Sequence, residues 1–251
     1  MTLQEFFAEN ARAAIAFSGG VDSSYLLYAA VQCGADVHAY FAKTAFQPQF
    51  ELDDARRLAE SVGAKLTVLE LDALSSEDVA RNPANRCYYC KQNIFGNLKR
   101  AAAEDGFTLI LDGTNASDDA GDRPGMRALR EMDVRSPLRE CGLTKAEIRR
   151  LSHEAGLFTW DKPAYACLAT RIPTGTPIQA RDLERVERAE AALAALGFRD
   201  FRVRLFHGAA RVQATAAQLP LALERREDLT VALRSDFSDI LLDLAPRAPS
   251  A

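Results

Sequence analysis

Residues 13–17 form an apolar, strand-like run and residues 23–33 carry a helical pattern closed by Gly34. Between them stands Ser18-Gly19-Gly20-Val21-Asp22-Ser23. A strand passing through a glycine-rich bend directly into a helix is half of a β-α-β crossover. That feature commits the chain to a parallel sheet covered by helices. The alternation continues with a strand at 37–41, a helix at 50–62 stopped by Gly63, and a strand at 66–71. A helix at 91–104 and a strand at 108–111 follow, and Thr144-Lys145-Ala146-Glu147 reads as a capping box opening a helix that ends at Gly156.

Residues 161–177 hold three prolines and little periodicity, and read as a connector. Beyond them the spacing predicts a helix at 180–196 with Gly197 as its stop, an alternating strand at 201–206, a turn at His207-Gly208 and a return strand at 210–215. A helix at 220–233, a last strand at 239–242 and a frayed tail at 245–251 complete the expectation. The domains expected are 1–160, the connector 161–177, and a small α+β domain at 178–251.

With 251 residues, 48% of them apolar, the chain can bury one large core and a second small one. A formal charge of −4 argues against a broad phosphate-backbone footprint, so no nucleic-acid partner is expected. No apolar run approaches the roughly 18 residues of a membrane span, and the N-terminal residues lack a secretory pattern. The expectations are therefore no membrane and a cytoplasmic location. Five cysteines, an odd number in such a chain, point to metal binding or catalysis rather than a disulfide framework.

At the loop, Gly19 and Gly20 permit close backbone approach to phosphate. Ser18 and Ser23 add hydroxyls, and Asp22 suits Mg²⁺ rather than phosphate itself. A plain Gly-Gly turn is the structural alternative. No Gly-Lys-Ser/Thr is present at the loop, so a kinase-type γ-phosphate grip is not indicated. The six residues resemble the loop of the PP-loop ATP pyrophosphatases, which split ATP between its α- and β-phosphates. The resemblance implies an adenine-nucleotide α-hydrolase-like fold for the N-terminal part, with helices on both faces of the sheet.

Further segments narrow this. They are Gly113-Thr114-Asn115-Ala116-Ser117-Asp118, Asp122-Arg123-Pro124-Gly125, Ser136-Pro137-Leu138, Gly142-Leu143-Thr144-Lys145, the run from Asp161 through Cys167 to Pro173, and Phe201-Arg202-Val203-Arg204. Together they resemble the LarE family of ATP-dependent sulfur transferases, which act in making the nickel-pincer nucleotide cofactor of lactate racemase. The likeness departs at Thr174, where an aromatic is usual, and at Gln213, where a glutamate is expected.

The resemblance implies adenylation of a carboxylate of pyridinium-3,5-biscarboxylic acid mononucleotide, and its conversion to a thiocarboxylate. It implies ATP and Mg²⁺ at Ser18, Gly19, Gly20, Asp22 and Ser23, with Gly113, Thr114 and Asn115 also binding nucleotide. The substrate's charged groups are expected at Lys91, Arg171, Arg202 and Arg204. Cys167 takes the sulfur-donor position, where the bland reading is a small buried core residue. Lys162 and Arg171, near it in sequence, favour its thiolate. A small-molecule nucleotide substrate, a homo-oligomer and contact with other proteins of nickel-pincer cofactor biosynthesis are the partners expected.

Cys87-Tyr88-Tyr89-Cys90 adds a C-x-x-C pair. Some LarE-like proteins combine such a pair with the donor cysteine to hold a [4Fe–4S] cluster, here on Cys87, Cys90 and Cys167. A zinc site with a further ligand such as His153, or a plain dithiol, are the alternatives. Cys33 and Cys141 are expected to be structural. Glu190 falls on an apolar helix face with Leu183, Val186 and Leu193, as a catalytic carboxylate or half of an internal salt bridge. Arg202 and Arg204 share one strand face, as an anion-binding fork or a solvated charged face. The competing functions are a PP-loop tRNA thiolase with a cysteine-bound cluster, an amide-forming ligase, and a non-catalytic nucleotide- or metal-binding module.

Overall fold

The computed structural model describes residues 1–118 and 123–248. The chain divides into two compact units, Met1–Ala73 with Asn85–Lys162, and Leu74–Ala84 with Pro163–Ala251.

The first unit runs α1 (Leu3–Glu9), β1 (Arg12–Ala16), α2 (Val21–Gln32), β2 (Asp36–Lys43), α3 (Gln49–Ser61) and β3 (Lys65–Glu70). α4 (Glu77–Ala80) lies in the second unit. The first resumes with α5 (Arg86–Glu104), β4 (Ile110–Leu111), α6 (Pro124–Glu131), α7 (Pro137–Glu140) and α8 (Lys145–Glu154). Its four strands are all parallel, in the order β3-β2-β1-β4.

Because strand side chains alternate, successive residues of β1 enter different cores. Ala13 and Ile15 pack with Leu26 and Leu27 of α2, Leu58 of α3 and Ile148 of α8. Ala14 packs with Tyr40, with Phe95 and Leu98 of α5 and with Leu129 of α6. Helices therefore cover both faces, and each fully buried leucine contributes roughly 1.5–3 kcal/mol. The expected α/β architecture is the one observed.

Two elements differ from the sequence expectation. α5 begins at Arg86 rather than 91, because its first turn, Arg86-Cys87-Tyr88, is mixed in polarity and the apolar stripe becomes legible only at Ile94 and Phe95. β4 has two residues, after which Asp112 N–H donates to Arg135 O at 2.9 Å. Asp122, quoted in the family motif, lies outside the described residues.

The second unit contains α9 (Ala180–Ala195), β5 (Arg202–Phe206), β6 (Ala209–Gln213), α10 (Leu219–Glu224), α11 (Arg226–Leu233) and β7 (Ile240–Leu242). β5 and β6 are antiparallel, joined by His207 (φ 49°) and Gly208 (φ 86°), the two left-handed residues of a tight hairpin. β7 adds parallel to β6. The helix expected at 220–233 is broken at Arg225 into α10 and α11. Residues 74–84 join this unit through Asn82 (φ 56°), whose side chain donates to Pro173 O (2.9 Å) and Thr176 O (3.1 Å) while its carbonyl accepts from Gly175 N–H (2.8 Å).

The tail is not frayed where it is described. Arg247 N–H donates to Ala214 O at 3.0 Å and its guanidinium pairs with Asp200, so backbone and charge both anchor it. Residues 249–251 of the expected frayed stretch lie outside the described residues.

Candidate active site

β1 is central, and the order reverses between β2 on one side and β4 on the other. The loops leaving β1 and β4 therefore diverge and open a crevice, the usual ligand position in an open parallel sheet. The sequence places the Ser-Gly-Gly-x-Asp-Ser loop there. Gly19 has φ 70°, and a Cβ on it would lie 3.0 Å from Glu51 O and 3.2 Å from Ala55 Cβ of α3. Both conformation and space require glycine. Gly20 is the N-cap of α2, so Asp22 and Ser23 lie in its first turn. The Ser18 and Ser23 hydroxyls are 3.0 Å apart, and Ser23 Oγ also accepts the Ser18 N–H at 3.2 Å. The loop is thus shaped by its own hydroxyls beside the positive helix end.

The cavity at this crevice measures about 330 Å³, with Ser18, Gly20, Asp22 and Lys91 on its polar wall and Tyr40 and Phe95 on its apolar one. Of the sequence-predicted nucleotide residues, Ser18, Gly20, Asp22, Ser23, Gly113 and Thr114 line it. Gly19 shapes the loop from behind, and Asn115, buried, caps the next turn by accepting from Ser117 N–H at 2.8 Å.

Asp112 is a residue the sequence reading missed. It is buried, accepting Thr114 Oγ1–H at 2.5 Å and Ser136 Oγ–H at 2.6 Å. The sequence places Lys162 five residues before the donor cysteine. Its Nζ instead donates to Asp54 Oδ2 at 2.6 Å and to Gly19 O at 3.2 Å, bracing the loop.

Two charged groups in the crevice are held against their preference. Burial raises the Asp22 carboxyl above the ordinary aspartate pKa; the Lys145 ammonium, 2.6 Å away, offsets part of that, and Asp118 adds to it. Burial lowers the Lys91 ammonium, with Asp112 the main opposing charge. Asp22 Oδ1 is buried and has no hydrogen-bond partner among the described residues. Lys145 was also missed as a site residue. It had a readable signal, since a lysine at the first position of a helix sits against the positive end of the dipole.

Cys87 and Cys90 stand one turn apart on α5, so both thiols occupy one helix face. Cys87 is exposed and Cys90 half-buried. His153 packs edge-on against Trp160, ring centroids 4.5 Å apart. Among the described residues, no three or more His, Cys, Asp or Glu side chains are gathered to hold a metal ion. Cys33 and Cys141 are helix C-caps, and burial raises both thiols.

In the second unit, Cys167 is the half-exposed N-cap of a short 3₁₀ turn, Leu168–Arg171, and its carbonyl accepts Thr170 N–H and Oγ–H at 2.9 Å each. Behind it Arg171 is 1% exposed. Arg171 Nε donates to Glu190 Oε1 (2.7 Å), Nη2 to Oε2 (3.0 Å) and Nη1 to Ala166 O (2.9 Å). Glu190 also accepts the Val203 N–H at 2.8 Å and the Tyr165 hydroxyl. The internal salt bridge, one of the two readings of Glu190, is present. Burial opposes the Arg171 charge, but Glu190 outweighs it and raises the guanidinium's pKa.

Arg202 and Arg204 do share a strand face. Arg202 is 6% exposed and donates to Ala164 O at 2.7 Å, so it is not a solvated charge. Arg204, half-buried, donates to Thr170 O and Gln213 Oε1 (2.6 Å). Burial, then the nearby Arg171 charge, lowers the pKa of both guanidiniums. Arg204, with His207 and Arg211, lines a second cavity of about 540 Å³.

A phosphate-type loop at the switch point of a parallel sheet, beside a half-apolar cavity, defines an adenine-nucleotide-binding α/β protein of the PP-loop class. The asparagine synthase family matches residues 8–116. The chain is 34% identical over 236 residues to the pyridinium-3,5-bisthiocarboxylic acid mononucleotide synthase of Lactiplantibacillus plantarum, covering 93% of this chain and 86% of that one. It is 38% identical over 220 residues to an uncharacterized protein of Synechocystis sp. (86% and 81% covered). To an uncharacterized protein of Methanocaldococcus jannaschii it is 30% identical over 191 residues (76% and 72%). This chain belongs to the LarE family of ATP-dependent sulfur transferases, within the PP-loop superfamily.

Proposed function

We propose that the protein adenylates a carboxylate of pyridinium-3,5-biscarboxylic acid mononucleotide with ATP, releases pyrophosphate, and converts that carboxylate to a thiocarboxylate. The observation that carries this reading is the similarity to the L. plantarum synthase, which at 93% of the chain takes in both units rather than the loop alone.

In this reading the Gly20 N–H and the Ser18 and Ser23 hydroxyls take phosphate oxygens, while Tyr40 and Phe95 offer the adenine an apolar wall. Thr114 lines the same cavity, and Gly113 and Asn115 shape the turn on either side of it. The residues fit Mg²⁺: Asp22 Oδ1 is an orphaned buried acceptor, the hard oxygen donor such a cation takes. Bound there, Mg²⁺ would offset charge on the leaving pyrophosphate. Lys91 supplies a poorly solvated ammonium on the same wall, suited to phosphate or carboxylate.

Two sulfur sources fit this reading, Cys167 itself or hydrosulfide that a cluster held in part by Cys167 would carry. Where Cys167 is the donor, its thiolate attacks the acyl-adenylate carbonyl and the C–O bond to AMP breaks, leaving a thioester. Loss of the Cα proton to water with cleavage of the Cβ–Sγ bond then frees the thiocarboxylate and leaves dehydroalanine at 167. Arg171 and Glu190 act by positioning, since Arg171 holds the Ala166 carbonyl next to the donor. Arg204, on the wall of the second cavity, and Arg202, on the same strand face, provide the charge for the substrate's phosphate.

Cys87 and Cys90 present two thiols from one helical turn, the ligand type that iron–sulfur clusters take. With Cys167 as a third ligand they would hold a [4Fe–4S] cluster able to carry exchangeable sulfide. A cytoplasmic location and a homo-oligomeric state belong to the same proposal.

The test is incubation with ATP, Mg²⁺ and the pyridinium biscarboxylate. Equal amounts of AMP and pyrophosphate and a product mass shifted by one oxygen-to-sulfur exchange are expected. Absence of pyrophosphate with this substrate would overturn the proposal.

A further inference from the structure

Lys145 opens α8, and its Nζ lies 2.6 Å from Asp22 Oδ2, each side chain about one-fifth exposed (21% and 22%). The backbone delivers it there. Thr144 and Glu147 complete a capping box, the Lys145 N–H donates to Ser117 Oγ at 3.0 Å, and Ala116 N–H donates to Leu143 O at 2.8 Å. The start of α8 is therefore stitched to the turn that follows β4. A lysine at this helix position gains nothing from the dipole, so the contact with Asp22 is what its placement serves. The other oxygen of Asp22, Oδ1, is buried without a hydrogen-bond partner among the described residues. The carboxylate thus has one oxygen neutralised by a cation that belongs to the chain and one oxygen left open.

We propose that Lys145 is a resident counter-cation of Asp22 that keeps divalent cations off this carboxylate until a nucleotide arrives. The proposal rests on the ATP-binding reading of the crevice and deepens it. A divalent cation taking Oδ1 comes within a few ångströms of the ammonium on Oδ2, and in a partly desolvated crevice that repulsion is strong. The phosphates of a nucleotide bring several negative charges to the same place and cancel it. Metal then enters with the nucleotide rather than ahead of it, and Lys145 turns from a competitor into part of the positive field around the leaving pyrophosphate. Among the described residues, Asp118 and Arg149 are the other charges felt at Asp22; they are opposite in sign and leave Lys145 as the dominant cation.

Mn²⁺ binding followed by electron paramagnetic resonance tests this on the full chain. Without nucleotide, Lys145→Met is expected to bind Mn²⁺ at least about tenfold more tightly than wild type. Lys145→Arg, which keeps the charge, should resemble wild type. The non-hydrolysable α,β-methylene ATP should tighten Mn²⁺ binding far more in wild type than in Lys145→Met. The double variant Asp22→Asn/Lys145→Met should lose the gain, and thermal unfolding verifies that each variant is folded.

Equal affinities of wild type and Lys145→Met without nucleotide, no measurable Mn²⁺ binding by Lys145→Met, or a gain that survives Asp22→Asn would each overturn the proposal. Failure of the analogue to bind would instead overturn the nucleotide reading of the crevice, and the nucleotide-free comparison would still decide the role of Lys145.

Discussion

The Cβ that Gly113 lacks would fall 2.9 Å from the backbone nitrogen of Ser23 and 3.1 Å from its Cα. The turn after β4 and the first turn of α2 therefore meet backbone to backbone, and the crevice between the β1 and β4 loops depends on that contact. Gly113→Ala must push the two apart. A loss of about 1–3 kcal/mol in stability is expected, with nucleotide affinity falling on the order of tenfold to a hundredfold. Thermal unfolding and titration with an ATP analogue measure both. Gly96→Ala is the contrast, because in α5 its Cβ would meet nothing within 4 Å. It should stabilise by roughly 0.4–1 kcal/mol.

Arg171 and Glu190 form a bidentate pair whose side chains are 0% and 6% exposed. Removing one partner strands the other in the core of the second unit, so Arg171→Met or Glu190→Leu should each cost about 3–5 kcal/mol. Losing both charges in Arg171→Met/Glu190→Leu should cost clearly less than the sum. Chemical denaturation as a double-mutant cycle reads the coupling, and simple additivity would show that the pair acts as two independent residues.

Burial depresses the Lys91 pKa below the ordinary lysine value of 10.5. A base depressed by folding destabilises the fold wherever it is charged. That penalty is full below the folded pKa and disappears as pH rises through it toward the unfolded one. Lys91→Met is therefore expected to raise Tm at pH 7, to lose that advantage progressively as pH approaches 10.5, and to weaken nucleotide or carboxylate binding. A drop in Tm at pH 7 would show that Lys91 stabilises the fold through its carboxylate neighbours.

Cys167→Ser should keep pyrophosphate release and abolish thiocarboxylate formation, because adenylation precedes attack by sulfur. Cys87→Ser and Cys90→Ser separate the two sulfur sources. If they carry iron with Cys167, either change removes bound iron after anaerobic reconstitution and ends multiple turnover. If they do not, one transfer per chain persists and mass spectrometry finds dehydroalanine at 167.

Arg202 and Arg204 should respond differently although they share a strand face. Arg204→Ala, half-buried on a cavity wall, should raise KM for the nucleotide substrate at least about tenfold with little change in Tm. Arg202→Ala, 6% exposed and bonded to the Ala164 carbonyl, should lower Tm as well. Equal Tm losses for both would return Arg204 to a purely structural role.

The parts of this protein written into its sequence are those that depend on neighbours in the chain. Period-two and period-3.6 patterns reported the strands and most helices. The left-handed Gly19 and the hydroxyls of Ser18 and Ser23 reported the loop, because a bend, its donors and the helix it opens lie within six residues. Strand alternation likewise put Arg202 and Arg204 on one face. Tertiary structure alone decided the pairings across long separations. Glu190 meets Arg171 across 19 residues, Asn82 reaches Pro173 across 91, and Lys145 reaches Asp22 across 123. No local propensity encodes such contacts. A buried charge announces that it needs a partner, but which partner it finds depends on the order in which the strands and their crossovers are laid side by side.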